Sequence, residues 1–106
     1  MDKIDLSSAV LINNTENPKK RFELKVKDQV AFIEYILAKG DVIYLVHTEV
    51  PESLEGNGVG STLVKKTLEY IKDKGYALVP LCPFVAAYLK KHPELGKEIL
   101  KEGYNI

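Results

Sequence analysis

Apolar and polar residues alternate strictly from Phe22 to Val26, with Glu23 and Lys25 between Phe22, Leu24 and Val26. A period of two puts successive side chains on opposite faces and predicts a half-buried strand. Before it, Ala9 to Asn13 is a short apolar run, and Thr15-Glu16-Asn17-Pro18-Lys19 has the residues of a turn. Val30 to Leu37 follows after a tight connection and is rich in β-branched and aromatic residues. Beyond the turn Lys39-Gly40-Asp41, Val42-Ile43-Tyr44-Leu45-Val46 is apolar on both faces, the pattern of a central strand covered on both sides. Four strands joined by short turns predict an antiparallel meander.

The period then changes. Val59, Leu63, Leu68 and Ile71 recur at helical spacing, and Gly75 stands where a helix over 59–74 would end. Ala77 to Leu81 reads as a buried strand, with Pro80 marking an irregularity or an unpaired side. Pro83 is suited to a first helical turn, and a helix carrying Phe84, Ala87 and Tyr88 must stop by His92, because the residue before Pro93 avoids helical angles. Glu94 to Glu102 is amphipathic and predicts a closing helix or turn. The strand at 42–50, the helix at 59–74 and the strand at 77–81 form a βαβ unit. The fold class is therefore α+β, a mixed, mostly antiparallel sheet carrying one βαβ unit.

Composition narrows the function more than the fold. At 106 residues the chain makes one domain, 1–106, with a modest core. Fifteen basic residues balance fifteen acidic ones, which offers no global attraction to nucleic acid or to a membrane. No apolar run is long enough to span a bilayer, and residues 1–8 lack a basic-then-apolar signal pattern. The single cysteine, Cys82, has no internal disulfide partner. A cytoplasmic protein without a metal centre is expected.

Chemistry concentrates at Leu54-Glu55-Gly56-Asn57-Gly58-Val59-Gly60-Ser61, between an apolar strand and a helix start. The first turn of a helix leaves N–H groups unpaired and carries partial positive charge, and glycines let an anion lie against the main chain. The loop suits a phosphate or pyrophosphate. It lacks the lysine of a P-loop, and Ser61 replaces the third glycine of the dinucleotide fingerprint.

Upstream stands His47-Thr48-Glu49-Val50-Pro51, and downstream Pro80-Leu81-Cys82-Pro83-Phe84-Val85, closing at His92-Pro93-Glu94. Together with the glycine loop, these resemble the GNAT N-acetyltransferase superfamily. The likeness is to its small single-domain members, which pair an H-T-x-V-P-type segment with a G-x-G-x-G loop and a cysteine after the next strand. It covers roughly Phe22 to Glu94. The resemblance implies a GNAT-like fold, acetyl-CoA as cosubstrate, and an amine acceptor, either a small molecule or a protein lysine. It places the pyrophosphate of CoA on Asn57, Gly58, Val59, Gly60 and Ser61, and the pantetheine arm along the backbone of Thr48 and Val50 like an added strand. Glu55 stands where the resembled loop carries Gln or Arg, so its carboxylate is expected to weaken phosphate binding. The helices that line the acceptor side in larger relatives are missing, which leaves that side open. A monomer or weak homodimer is expected.

Three residues are candidates for catalysis. Glu49 shares a strand face with His47 and could accept a proton from the incoming amine; the two could equally bond each other as structural groups. Cys82, between a strand end and a helix start, is placed to react as a thiolate and to carry the acetyl group, or else is a small buried hydrophobe. Tyr88 could protonate the departing CoA thiolate, or could be a core aromatic. The backbone N–H near Val50 could polarise the acetyl carbonyl at a strand irregularity, as the resemblance implies. The rival function is a CoA-binding sensor or interaction module without turnover.

Overall fold

The computed structural model describes residues 9–16, 19–26, 28–54, 56, 58–97 and 99–101. Strands β1 (Leu11–Asn14), β2 (Arg21–Val26), β3 (Gln29–Ala38) and β4 (Val42–Glu49) lead to helix α1 (Val59–Lys74), strand β5 (Ala77–Pro80), helix α2 (Pro83–Lys91) and the short α3 (Pro93–Gly96). The five strands form one sheet in sequence order. β1 to β4 pair antiparallel, and β4 pairs with β5 in parallel across the α1 crossover. The expected α+β fold, a mixed sheet with one βαβ unit, is the observed one.

One sheet face makes the core. Phe22 and Leu24, Ala31 and Ile33, and Ile43 and Leu45 are fully buried there against Leu63, Val64 and Ile71 of α1 and Val85 of α2. Helix α1 ends as its sequence requires. Gly75 takes φ 74°, its N–H donates to the Lys72 carbonyl, and the Tyr76 N–H donates to the Ile71 carbonyl. Both last-turn carbonyls are thus satisfied in a Schellman motif, which only a residue tolerant of left-handed angles permits.

Two differences from expectation matter. Val42–Val46 is not covered on both sides: Ile43 and Leu45 are buried, whereas Tyr44 and Val46 are half-buried on the other face. The amphipathic stretch after His92 gives only the one-turn α3, after which Leu100 bridges Leu78 in parallel. The Leu78 N–H donates to the Ile99 carbonyl at 2.6 Å, and the Lys101 N–H to the Leu78 carbonyl at 2.8 Å. The reason is local: β5 offers an edge whose backbone groups need partners, and extended chain supplies them better than a further helical turn.

Candidate functional site

The site is built where β4 and β5 part. Their pairing runs from Val42↔Ala77 to Leu45↔Pro80 and stops. The N–H groups of Leu81 and Cys82 then both donate to the Leu45 carbonyl, at 3.0 and 2.9 Å, as the chain turns into α2. β4 continues to Glu49 without a described partner on that side. A second irregularity lies at the same point. Glu34 pairs with His47 but Tyr35 pairs with Leu45, so Val46 is an extra residue, a β-bulge. The bulge shifts the alternation, so that Thr48 joins Leu45 on the core face while His47 and Glu49 point away from it. The strand irregularity expected near Val50 thus sits four residues earlier, at Val46.

At the wide end of this split stands the N-terminus of α1. Gly56 and Gly58 take φ 83° and 75°, and Gly58 is the N-cap residue without a side-chain cap. The first intrahelical bond joins the Thr62 N–H to the Gly58 carbonyl. The N–H groups of Val59, Gly60 and Ser61 precede it and face the loop, the arrangement that holds phosphate oxygens. A hollow of about 380 Å³ opens over them, bounded by Val50, Leu54 and Phe84. At the narrow end, Oγ1 of Thr48 and Sγ of Cys82 are 3.1 Å apart. Cys82 is the N-cap residue of α2 and is 4% exposed.

Residues 21–99 match the model of a family described as GCN5-related N-acetyl-transferase. The chain belongs to the GNAT family of N-acetyltransferases. It is also similar to Protein NATD1 of Xenopus tropicalis, with 24% identity over 97 residues, 88% of this chain and 86% of that protein. Protein NATD1 of Gallus gallus is 26% identical over 84 residues, 74% of each chain. Protein NATD1 of Homo sapiens is 28% identical over 64 residues, 60% of this chain and 55% of that one.

In this acetyltransferase fold, Val50, Gly58, Val59, Gly60 and Ser61 border one hollow, and Thr48, two residues before Val50 on β4, meets Cys82. Asn57 and Glu55 lie outside the described residues. Glu49 is on the opposite sheet face, 63% exposed at its side chain, with Oε2 3.9 Å from Nε2 of His47. The ring of Tyr88 lies 4.6 Å from that of His92. Burial, then the carboxylates of Glu94 and Glu69, hold its phenol above the usual tyrosine range. Among the described residues, no three His, Cys, Asp or Glu side chains gather as a metal site. No helix of the described residues is long and apolar enough to cross a membrane.

Phe84 is the site residue that sequence reading missed. A methyl group at Gly60 would lie 2.5 Å from Cζ of Phe84, so the ring rests on the bare backbone of α1 and walls the hollow. The signal was a glycine inside the first helical turn, where it costs helix stability unless something must approach closely. Because Phe84 is 44% exposed, the ring can swing aside. Gly60→Ala is therefore expected to change stability by less than about 1 kcal/mol, the helix-propensity gain offsetting the displaced ring. Its affinity for acetyl-CoA should fall about fivefold, roughly 1 kcal/mol, as the wall shifts. Thermal unfolding beside calorimetry checks both numbers.

Proposed function

We propose that this GNAT-family protein is an acetyl-CoA-dependent N-acetyltransferase that moves an acetyl group to an amine. The observation that carries the reading is the N-terminus of α1: its N–H groups face a hollow bordered by Val50, which follows the end of β4 two residues beyond Thr48 and its contact with Cys82. The N–H groups of Val59, Gly60 and Ser61 would hold the pyrophosphate. The free edge of β4 toward Val50 would pair with the pantetheine amides, as an added strand does. Bound there, acetyl-CoA supplies an activated acyl group whose carbonyl a backbone N–H of this edge can polarise.

Two routes fit the residues. In one, the Glu49 carboxylate takes the proton of the amine as its nitrogen attacks the thioester carbonyl directly. In the other, Cys82 attacks first and holds the acetyl group as a thioester. Tyr88 is the candidate donor of a proton to the departing thiolate. A phenol held protonated far above neutral pH is a poor match to the working pH, which limits its efficiency. Tyr88→Phe is expected to lower kcat by about tenfold, and a pH–rate profile of the two proteins checks it.

The reading is tested by following thiol release from acetyl-CoA with and without a panel of primary amines. Amine-dependent release with a matching acetylated product is the expected result. Binding of acetyl-CoA without turnover of any amine would leave a CoA-binding sensor, and no binding would remove both readings.

A further inference from the structure

The hollow over the start of α1 has two chemistries on its walls. The N–H groups of Val59, Gly60 and Ser61 are polar and carry partial positive charge, whereas Val50, Leu54 and Phe84 are apolar. A phosphate by itself needs only the first kind, since N–H groups and water satisfy its oxygens. Ligand sites combine mostly apolar walls with a few placed polar groups. This pair of walls suits a ligand that carries a compact hydrocarbon group directly beside its phosphate.

Phe84 gives the apolar side its aromatic surface. Of the three phenylalanines, Phe22 is fully buried in the core, Phe32 is half-buried, and Phe84 alone is exposed. Its place is set from both sides. At the start of α2 the Cys82 N–H donates to the Leu45 carbonyl, Pro83 opens the first turn, and the Ala86 N–H donates to the Cys82 carbonyl. Val85 is fully buried in the core, and Phe84 beside it is turned toward α1. There the missing side chain of Gly60 lets the ring lie against backbone, where a methyl group would overlap it. The ring thus touches one of the N–H donors and stands two residues after Cys82.

We propose that Phe84 positions the pantetheine arm of CoA by packing on the two methyl groups of its pantoate unit, and so directs the thioester toward Cys82. The inference rests on the acetyl-CoA reading for its ligand, but the contact it asserts can be measured apart from turnover. On one side of the CoA pyrophosphate, the carbon chain bears two methyl groups on a quaternary carbon. On the other side lies a ribose, rich in oxygen. Only the first matches an aromatic and an aliphatic wall beside three N–H groups. With the pyrophosphate on Gly60 and its neighbours, the ring covers the stretch of arm between phosphate and thioester.

The experiment records nuclear Overhauser contacts in the complex of the wild-type protein with CoA, whose two pantoate methyl groups give isolated signals. Contacts from the Phe84 ring protons to both methyl groups are the expected result. Phe84→Ala should bind CoA about tenfold more weakly, the loss of cover on two methyl groups, and Phe84→Leu less than about threefold. ADP, which has the pyrophosphate without the arm, should bind wild type and both variants within about twofold of one another. A thermal melt shows each variant folded. Ring contacts to adenine or ribose protons, no contact with the methyl groups, unchanged CoA affinity in Phe84→Ala, or an equal loss for ADP would overturn the proposal. Acetylation assays separate it from the reading it rests on. CoA bound with these contacts but no amine acetylated upholds the role of Phe84 and counts against the transferase. Turnover without the contacts removes Phe84 from the arm and leaves the transferase standing. Wild type that binds no CoA removes both.

Discussion

Gly58→Asp should lose acetyl-CoA affinity by about 2 kcal/mol or more, roughly thirtyfold, while the domain stays folded. Two effects act together. Gly58 sits at φ 75°, and nothing lies within 4 Å of where its Cβ would be, so the side chain fits but the backbone is strained. An aspartate can occupy left-handed angles better than most residues and is a favoured N-cap, which limits the cost to folding. Its carboxylate, however, stands at the three N–H groups that the pyrophosphate needs, and a capping aspartate would take one of them for itself. Repulsion between the acid and the phosphates adds to the loss and should ease with salt, because the hollow is open to solvent. Calorimetry with acetyl-CoA at low and high ionic strength, beside a thermal melt, checks each part. Equal affinity in both proteins would move the cosubstrate away from α1.

The helix that carries this site was legible because both of its ends are chemically marked. Gly58 and Gly75 bracket a run with helical apolar spacing, and both take the left-handed angles that stop a helix from extending. The meander was legible for a similar reason, since Phe22–Val26 alternates cleanly and Gly40 supplies the positive φ of the β3–β4 turn. The bulge at Val46 left no such mark. Within an unbroken apolar run, one extra residue changes which face each side chain meets without changing composition, so it appears only once the register with β3 is known. What depends on it was hidden with it, including the placement of Thr48 beside Cys82. The last strand-like contact, at Leu100, was obscured by an amphipathic spacing that fits a helix as well as an extended edge.

Cys82 is where the two chemical routes divide, and its replacement should give the clearest result. Its Sγ lies 3.1 Å from Oγ1 of Thr48, at the closed end of the split, and its backbone N–H is fixed to the Leu45 carbonyl. The sulfur is therefore held where a thioester arriving along the β4 edge would end, in a place nearly closed to water. The first step would form a bond from Sγ to the acetyl carbon and break the carbon–sulfur bond to CoA. The thiol proton passes to the CoA sulfur, directly or by way of the Thr48 hydroxyl. Thioester is exchanged for thioester, so no oxidant or further energy source is needed. The amine then displaces Cys82, forming the amide and returning the proton to the thiolate. Wild type mixed with acetyl-CoA alone should gain one acetyl mass, and Cys82→Ala should gain none and lose amine transfer. Thr48→Val, which keeps the shape but removes the hydroxyl, should slow acetylation of Cys82 without preventing it. Because Cys82→Ala removes a buried side chain, a thermal melt must show the variant folded, and Cys82→Ser serves as a second variant with nearly the same volume. If both proteins stay unmodified while Cys82→Ala still transfers acetyl to an amine, the covalent route is wrong. Glu49-assisted direct attack is then the mechanism, and the short contact with Thr48 is packing that closes the end of the split.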